Sequence, residues 1–458
     1  MGILNPAARQ YSRHELTQGS IGLGMTTKHP KGIPFIIANE VAERFSYYGM
    51  KAILVVFMTT MLLDSSGVAA PMPEEEATFW YHVFGMGNYL VPAFGAVVAD
   101  VLWGKYRTII LLSLVYCAGH AALAIDDTRM GLAIGLALIA IGSGGIKPCV
   151  SAHLGDQYRE REPGALSQGY ALFYLGINVG ACLSTIATPL LLERYGPRAA
   201  FGVPGAFMAL ATVVFWIGRR RYVVVAPTPW RLYVAELCKG QRRRGVWTLA
   251  LLYVSLSPFW ALFDQTGSSW ILQAERMHRE FYIPLVGSVT ILPSQLQALN
   301  PVLILVLAPL CGWIAYPWLA ARGWLSDQGK LVVGMIIAAA SFGIVAFAQQ
   351  RIAAGEVVSV GWQAAAYLIL TLAEVMVSIT ALELAYVHAP AVSKSFVTSF
   401  YLLSVALGNG VTAALTKLLA SLACPPDTPL YFALFSAMAL VSAVPVAWSM
   451  KRLSALKA

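Results

Sequence analysis

Apolar residues in this chain gather into twelve runs, each about 18 residues or longer, separated by short polar clusters. They cover 34–63, 79–101, 108–125, 130–151, 168–192, 200–218, 246–275, 286–318, 330–349, 361–388, 395–420 and 428–450. A run of that length crosses a bilayer as a helix, and twelve spans of about 20 residues need roughly 240 positions. The 458 residues leave room for these and for short loops. Only 12% of the residues are charged, against about 25% in soluble domains, which excludes a soluble globular class. An all-α polytopic membrane protein follows, its longer spans tilted or protruding.

Charge sets the expected orientation. Counted by alternating loops, one side holds 22 lysines and arginines and the other only six, namely residues 129, 194, 198, 276, 279 and 351. Both termini are therefore expected in the cytoplasm. The net charge of +9 reads as a topology signal with a contribution from anionic lipid, and no nucleic-acid partner is expected. The first 30 residues are polar and include Arg9, Arg13, Lys28 and Lys31, which is not a signal-peptide pattern. The six cysteines (117, 149, 182, 238, 311 and 424) show no metal or redox spacing. The segment from Arg219 to Gly245 has Arg-rich ends and no run able to span. It divides the chain into a cytoplasmic tail at 1–33, a six-helix bundle at 34–218, a linker at 219–245 with a short interfacial helix, a second bundle at 246–450 and a tail at 451–458. Pro92-Ala-Phe-Gly95 and Pro309-Leu-Cys-Gly312 stand near equivalent ends of the second helix in each half, as in a duplicated 6+6 transporter.

Within the first span, residues 40–51 carry four charges: Glu40, Glu43, Arg44 and Lys51. At about 100° per residue, Glu40, Arg44, Tyr47 and Lys51 fall within roughly 40° of one line, with Glu43 beside it. Ionisable groups at membrane depth face one another or a wet cavity, so the stripe lines a polar pathway. Lys147, ahead of Pro148 in the fourth span, needs a partner, and Glu43 or Glu40 suits by charge. Glu374 in the tenth span has no cation nearby in sequence and is free to carry a proton, with Ser378 one turn later. Glu383 lies about 180° from it and takes a packing role. Asp264 in the seventh span and Lys51 form a plausible pair between the halves. His120, His153, His278 and His388 lie at span ends or in loops and read as structural.

Two resemblances sharpen this. Gly95-Ala-Val-Val-Ala-Asp100-Val-Leu-Trp-Gly104-Lys105-Tyr-Arg107 resembles the cytoplasmic loop motif of the major facilitator superfamily, in which Asp100, Lys105 and Arg107 would form a charge latch that opens as the halves rock. Glu40-x-x-Glu43-Arg44-Phe45-x-Tyr47-Tyr48 is similar to the first-helix motif of the proton-coupled oligopeptide transporter family. Gly144-Gly145-Ile146-Lys147-Pro148-Cys149-Val150-Ser151 with Gly155-Asp156-Gln157, Phe173-Tyr174 through Gly180, Phe259-Trp260 through Gly267, and Glu374 through Glu383 agree with the same family in the same order.

The resemblance implies a major facilitator fold and a symporter of di- and tripeptides, or of peptide-like drugs, driven by protons without any other cofactor. Arg44 and Lys147 would meet the peptide carboxylate and Glu374 its ammonium, with Tyr48, Tyr89, Asn178, Asn300 and Ser378 as neutral pocket groups. Proton coupling falls to Glu40, Glu43, His82, Asp264 and Glu374, and gating to Lys51, Asp264 and the Asp100–Lys105–Arg107 loop. Asn300-Pro301 suggests a broken span there. Lys51 replaces the family's usual arginine, and Tyr401 stands where tryptophan is common. No nucleophile–base set, phosphate loop or metal-ligand spacing appears, so no enzyme is expected. The linker is too short for two extra helices, and the 350–360 loop is too short for a large outer domain. A bacterial inner-membrane carrier acting as a monomer fits. The alternative is a carrier of the same fold moving nitrate, an amino acid or a peptide-like drug.

Overall fold

The structure is a computed structural model, and it describes residues 29–158, 163–232, 240–283, 287–322, 326–388 and 394–455. The expected tails (residues 1–28 and 456–458), the centre of the linker at 233–239 and Cys238 lie outside the described residues. So does the side chain of His388.

The chain is a succession of long helices. They are α1 (Ile33–Thr60), α2 (Glu74–Val97), α3 (Lys105–Ile125), α4 (Arg129–Asp156) and α5 (Pro163–Ile217) in the first half. The second half holds α6 (Gly240–Phe263), α7 (Ser269–Glu275), α8 (Leu299–Leu310), α9 (Tyr316–Ala321), α10 (Asp327–Ala353), α11 (Gly361–His388), α12 (Lys394–Ser421) and α13 (Pro429–Ala455). Ten stretches among the described residues are long and apolar enough to cross a membrane, and one of them, Ala165–Arg220, holds two spans. It breaks at Gly196, whose φ of 76° only glycine adopts readily and which Pro197 follows. α1, 28 residues long, misses that count through its four charges and completes twelve. Buried side chains among the described residues fall into two large cores, one from Ile33 to Tyr222 with Leu272 added, the other from Leu249 to Leu453, and a small third of Ile304, Cys311 and Val375. The fold is that of two six-helix bundles.

Local chemistry sets the helix ends. Thr128 caps α4 by accepting from the Met130 and Gly131 N–H groups, and Ser326 caps α10 through Gly329 N. Both Pro-x-x-Gly helices end in a π-helical stretch, Val98–Trp103 after α2 and Cys311–Ala315 after α8, a deformation that commonly marks functional positions. α2 crosses α4 so closely that a Cβ on Gly95 would stand 2.6 Å from Gly145 Cα.

Three sequence expectations shift. Span seven bends through a 3₁₀ turn, Asp264–Gly267, between α6 and α7. Residues assigned to the start of span eight instead form β2 (Gly287–Thr290), paired antiparallel with β1 (Glu280–Ile283) from the segment before it. The break expected at Asn300-Pro301 lies earlier, in the 3₁₀ turn Pro293–Ala298. Pro301 then sits in the first turn of α8, where its missing N–H costs no bond.

We call the end where α1 begins and α13 finishes the terminal end, and the opposite one the far end. Beyond α5, the visible linker folds back along the first half at the terminal end. Gln157 Oε1 accepts from Val223 N at 2.9 Å, and Thr228 N donates to Asp100 O at 2.7 Å.

Candidate functional site

α1 places its charged stripe against both halves. Arg44 Nε donates to Glu40 Oε1 at 2.7 Å and stands 3.1 Å from Glu43 Oε2. One guanidinium therefore serves both carboxylates, each almost wholly buried. This leaves Lys147 without the carboxylate partner expected for it. Its Nζ makes no hydrogen bond and no ion pair among the described residues. It lies instead over the ring of Tyr47 at 4.1 Å and that of Tyr89 at 4.4 Å. The quadrupole of each ring attracts the cation, and Asn88 Nδ2 fixes the Tyr47 hydroxyl at 2.8 Å.

Across the interface, Glu374 Oε2 accepts from Asn300 Nδ2 at 2.6 Å, and Asn300 also reaches Thr371 Oγ1 at 3.2 Å. No cation pairs with Glu374 among the described residues. Ser378 Oγ, one turn along α11, lies beside the Tyr401 hydroxyl. Tyr48, from α1, lies within electrostatic reach of both Arg44 and Glu374. Asn178 is turned back onto its own helix, Nδ2 donating to Tyr174 O at 2.9 Å. Tyr401 packs edge-on to Trp260 at 5.6 Å and to Tyr253 at 6.3 Å.

Toward the far end the halves are joined by a polar chain. Lys51 Nζ meets Asp264 Oδ1 at 2.8 Å, the pairing expected from sequence. Asn409 Nδ2 donates to Asp264 Oδ2 at 2.6 Å and to Val405 O at 3.0 Å. Its Oδ1 faces His82 Nδ1 at 2.8 Å, and His82 Nε2 faces Ser268 Oγ at 2.9 Å. Both hydrogens of the Asn409 amide are taken, so Oδ1 must accept and Nδ1 of His82 must carry its proton. The reversed amide would set oxygen against oxygen at both contacts. An outer layer follows, where Arg276 Nη2 reaches Glu74 Oε1 at 2.6 Å and Nη1 reaches Asp427 Oδ2 at 3.3 Å.

The expected Asp100–Lys105–Arg107 latch is arranged differently. Lys105 Nζ bonds Asp156 Oδ2 of α4 at 2.6 Å, and Arg107 is exposed. Asp156 ends a helix at the same depth as Lys105, so it competes with Asp100 for the lysine.

The POT family (PTR2) model matches residues 106–232 and 229–430. The chain belongs to the POT family. It is 36% identical over 376 residues to human solute carrier family 15 member 2, covering 71% of this chain and 50% of that one. Human solute carrier family 15 member 1 is 35% identical over 395 residues, with 72% and 54% covered. This POT-family chain thus spans about half the length of the curated relatives it matches. The crystal structure of the POT family transporter PepTSo superposes with a TM-score of 0.82 at 31% identity, over 94% of this chain and 99% of that one. An auto-inhibited POT family peptide transporter gives 0.80 at 31% identity, over 92% and 97%. These relatives are named as solute carriers and peptide transporters, and the chain shares with them a polytopic membrane fold.

Reasoning from sequence missed Asn409, Ser268 and Asn88 as members of this network. Asn409 carried a legible signal, a lone amide in the apolar run of α12. Asn88 carried none, because its role depends on where Tyr47 and Lys147 fall.

Proposed function

We propose that this chain is a proton-coupled symporter of di- and tripeptides, held at the midplane between Arg44 and Lys147 on one half and Glu374 on the other. One observation carries the reading. Arg44 of the first half and Glu374 of the second both lie within electrostatic reach of Tyr48, and Lys147 lies within reach of Arg44 and Glu43. A peptide has the complementary charges at its two ends, so recognition by the ends tolerates any side chain between them. Lys147, paired only with rings, takes a carboxylate without first breaking an ion pair. The relatives' names agree, being solute carriers and peptide transporters.

In mechanism, Arg44 is shared between Glu40 and Glu43. Protonating either carboxylate releases part of the guanidinium for the substrate, which couples proton and peptide binding. With Asp264 ionised, the Lys51–Asp264–Asn409–His82 chain clamps the far end. A proton on Asp264 weakens the clamp and lets the halves rock. Positive charge toward the terminal end supports cytoplasmic termini, and the reading takes the chain as a monomer of a bacterial inner membrane.

The test is uptake of a labelled dipeptide into proteoliposomes under an imposed inward proton gradient. Accumulation is expected with wild type. Glu40→Gln or Glu43→Gln should lose accumulation and retain peptide counterflow. Movement of nitrate or a single amino acid without dipeptide would overturn the reading in favour of another substrate.

A further inference from the structure

A second face of α1 does not look toward the cavity. Asn39, Glu43 and Ser46, spaced three to four residues apart, are each 1% exposed or less. Ser46 Oγ meets His120 Nε2 of α3 at 2.7 Å. The Tyr116 ring stacks on His120 at 5.1 Å, and the Tyr116 hydroxyl lies beside Ser143 of α4 and within electrostatic reach of Glu43. Six polar atoms here make no hydrogen bond among the described residues: Asn39 Oδ1, both Glu43 oxygens, Tyr116 Oη, His120 Nδ1 and Ser143 Oγ, with only the 3.1 Å ion pair of Arg44 at Glu43 Oε2. α1 packs chiefly along α5, and α3 along α4 and α5, so side chains rather than backbones fill the space between α1 and α3.

Native interiors leave few buried polar groups unpaired, because each then bears its full desolvation cost. Six inside one bundle call for a partner. The set mixes obligate acceptors, at Glu43 and Asn39, with hydroxyls and an imidazole. Water, which donates and accepts, satisfies such a mixture, and buried water takes two to four polar partners.

We propose that Asn39, Glu43, Ser46, Tyr116, His120 and Ser143 bind a small cluster of water molecules inside the first half, which gives Glu43 a proton path separate from the peptide cavity. The path deepens the transport reading and rests on it only for its link to coupling. A proton leaving the Glu43 carboxyl passes along the cluster to the His120 imidazole, and the reverse move restores the acid. One proton moves at each step, and no other bond forms or breaks. The charged and titratable groups facing Glu43 are Glu40 and Arg44 of α1, Tyr116 of α3 and Lys147 of α4. From α5, His120 meets Gly205 and the Phe201 backbone, which carry no titratable group.

Hydroxyl-radical footprinting by brief X-ray radiolysis of the full chain in nanodiscs tests the cluster, since radicals born from bound water oxidise the side chains beside it. Tyr116 should label at least threefold faster than Tyr431, which is equally inaccessible and bonds Thr416 at 2.8 Å. In proteoliposomes, Tyr116→Phe should cut gradient-driven dipeptide accumulation at least threefold and displace its pH profile, with a smaller effect on counterflow. Ser143→Ala serves the same test should Tyr116→Phe fail to fold. Labelling of Tyr116 no faster than Tyr431 overturns the water cluster. An unchanged pH profile in the folded variant overturns the path. Wild type that moves no dipeptide refutes the transport reading and leaves the labelling result standing.

Discussion

At the scale of the residue, opposite charges at matching depth identify a pair only when no third charge intervenes. Lys51 and Asp264 meet that condition, and they pair at 2.8 Å. Lys147 does not, because Arg44 is one position from Glu43 and one helical turn from Glu40 and engages both. Sequence offered charge type but not this competition, and it implied Tyr47 and Tyr89 as lining the pathway and pocket, not as holding Lys147 between their rings. The Lys51–Asp264 pair has side-chain exposures of 9% and 6%. Removing one member of such a pair leaves a buried charge, at a cost of about 3–5 kcal/mol, whereas removing both is often nearly neutral. Lys51→Ala should therefore lower the thermal unfolding midpoint in detergent markedly, and Lys51→Ala with Asp264→Ala should recover most of the loss. A double variant as unstable as the single one would show that the pair does not act as a unit.

At the scale of the element, the apolar runs made the helices legible, and the irregular joints were not. The Gly196 kink falls in the polar cluster that separates the fifth and sixth runs, but the 3₁₀ turn Asp264–Gly267 and strand β2 fall inside runs, where nothing in the pattern marked them. The glycines of α2 show how little sequence says about closeness. A methyl on Gly87 would stand 3.8 Å from Ala140 Cβ, an ordinary contact, while one on Gly95 would stand 2.6 Å from Gly145 Cα. Gly95→Ala must push α2 from α4, and overpacking of this kind costs about 1–3 kcal/mol. Gly87→Ala should be neutral or slightly stabilising, since alanine favours helix over glycine. Thermal unfolding of the two variants side by side checks this. Equal midpoints would mean that the α2–α4 crossing yields freely.

At the scale of the whole molecule, the bonds joining the halves among the described residues lie from the midplane to the far end, in two layers of different physics. The inner layer is buried and ends at Lys51–Asp264. The outer layer, Glu74–Arg276–Asp427, is about one-third exposed. A buried pair is little screened by salt, whereas an exposed one is worth about 0–1 kcal/mol and fades as the Debye length shrinks to about 8 Å at physiological ionic strength. The two layers are therefore separable in one distance measurement. Spin labels at Val68 and Val357, both exposed in far-end loops of opposite halves, report whether that end is open. In a background cleared of native cysteines, Asp264→Asn should shift the distance distribution outward at any salt concentration, because it weakens the inner clamp. Arg276→Gln should shift it outward at low salt and leave it near wild type in high salt, where the outer layer is already screened. If Arg276→Gln opened the far end equally at both salt concentrations, the outer layer would hold the halves by packing rather than charge. The inner clamp would then not be the element that decides when the carrier opens.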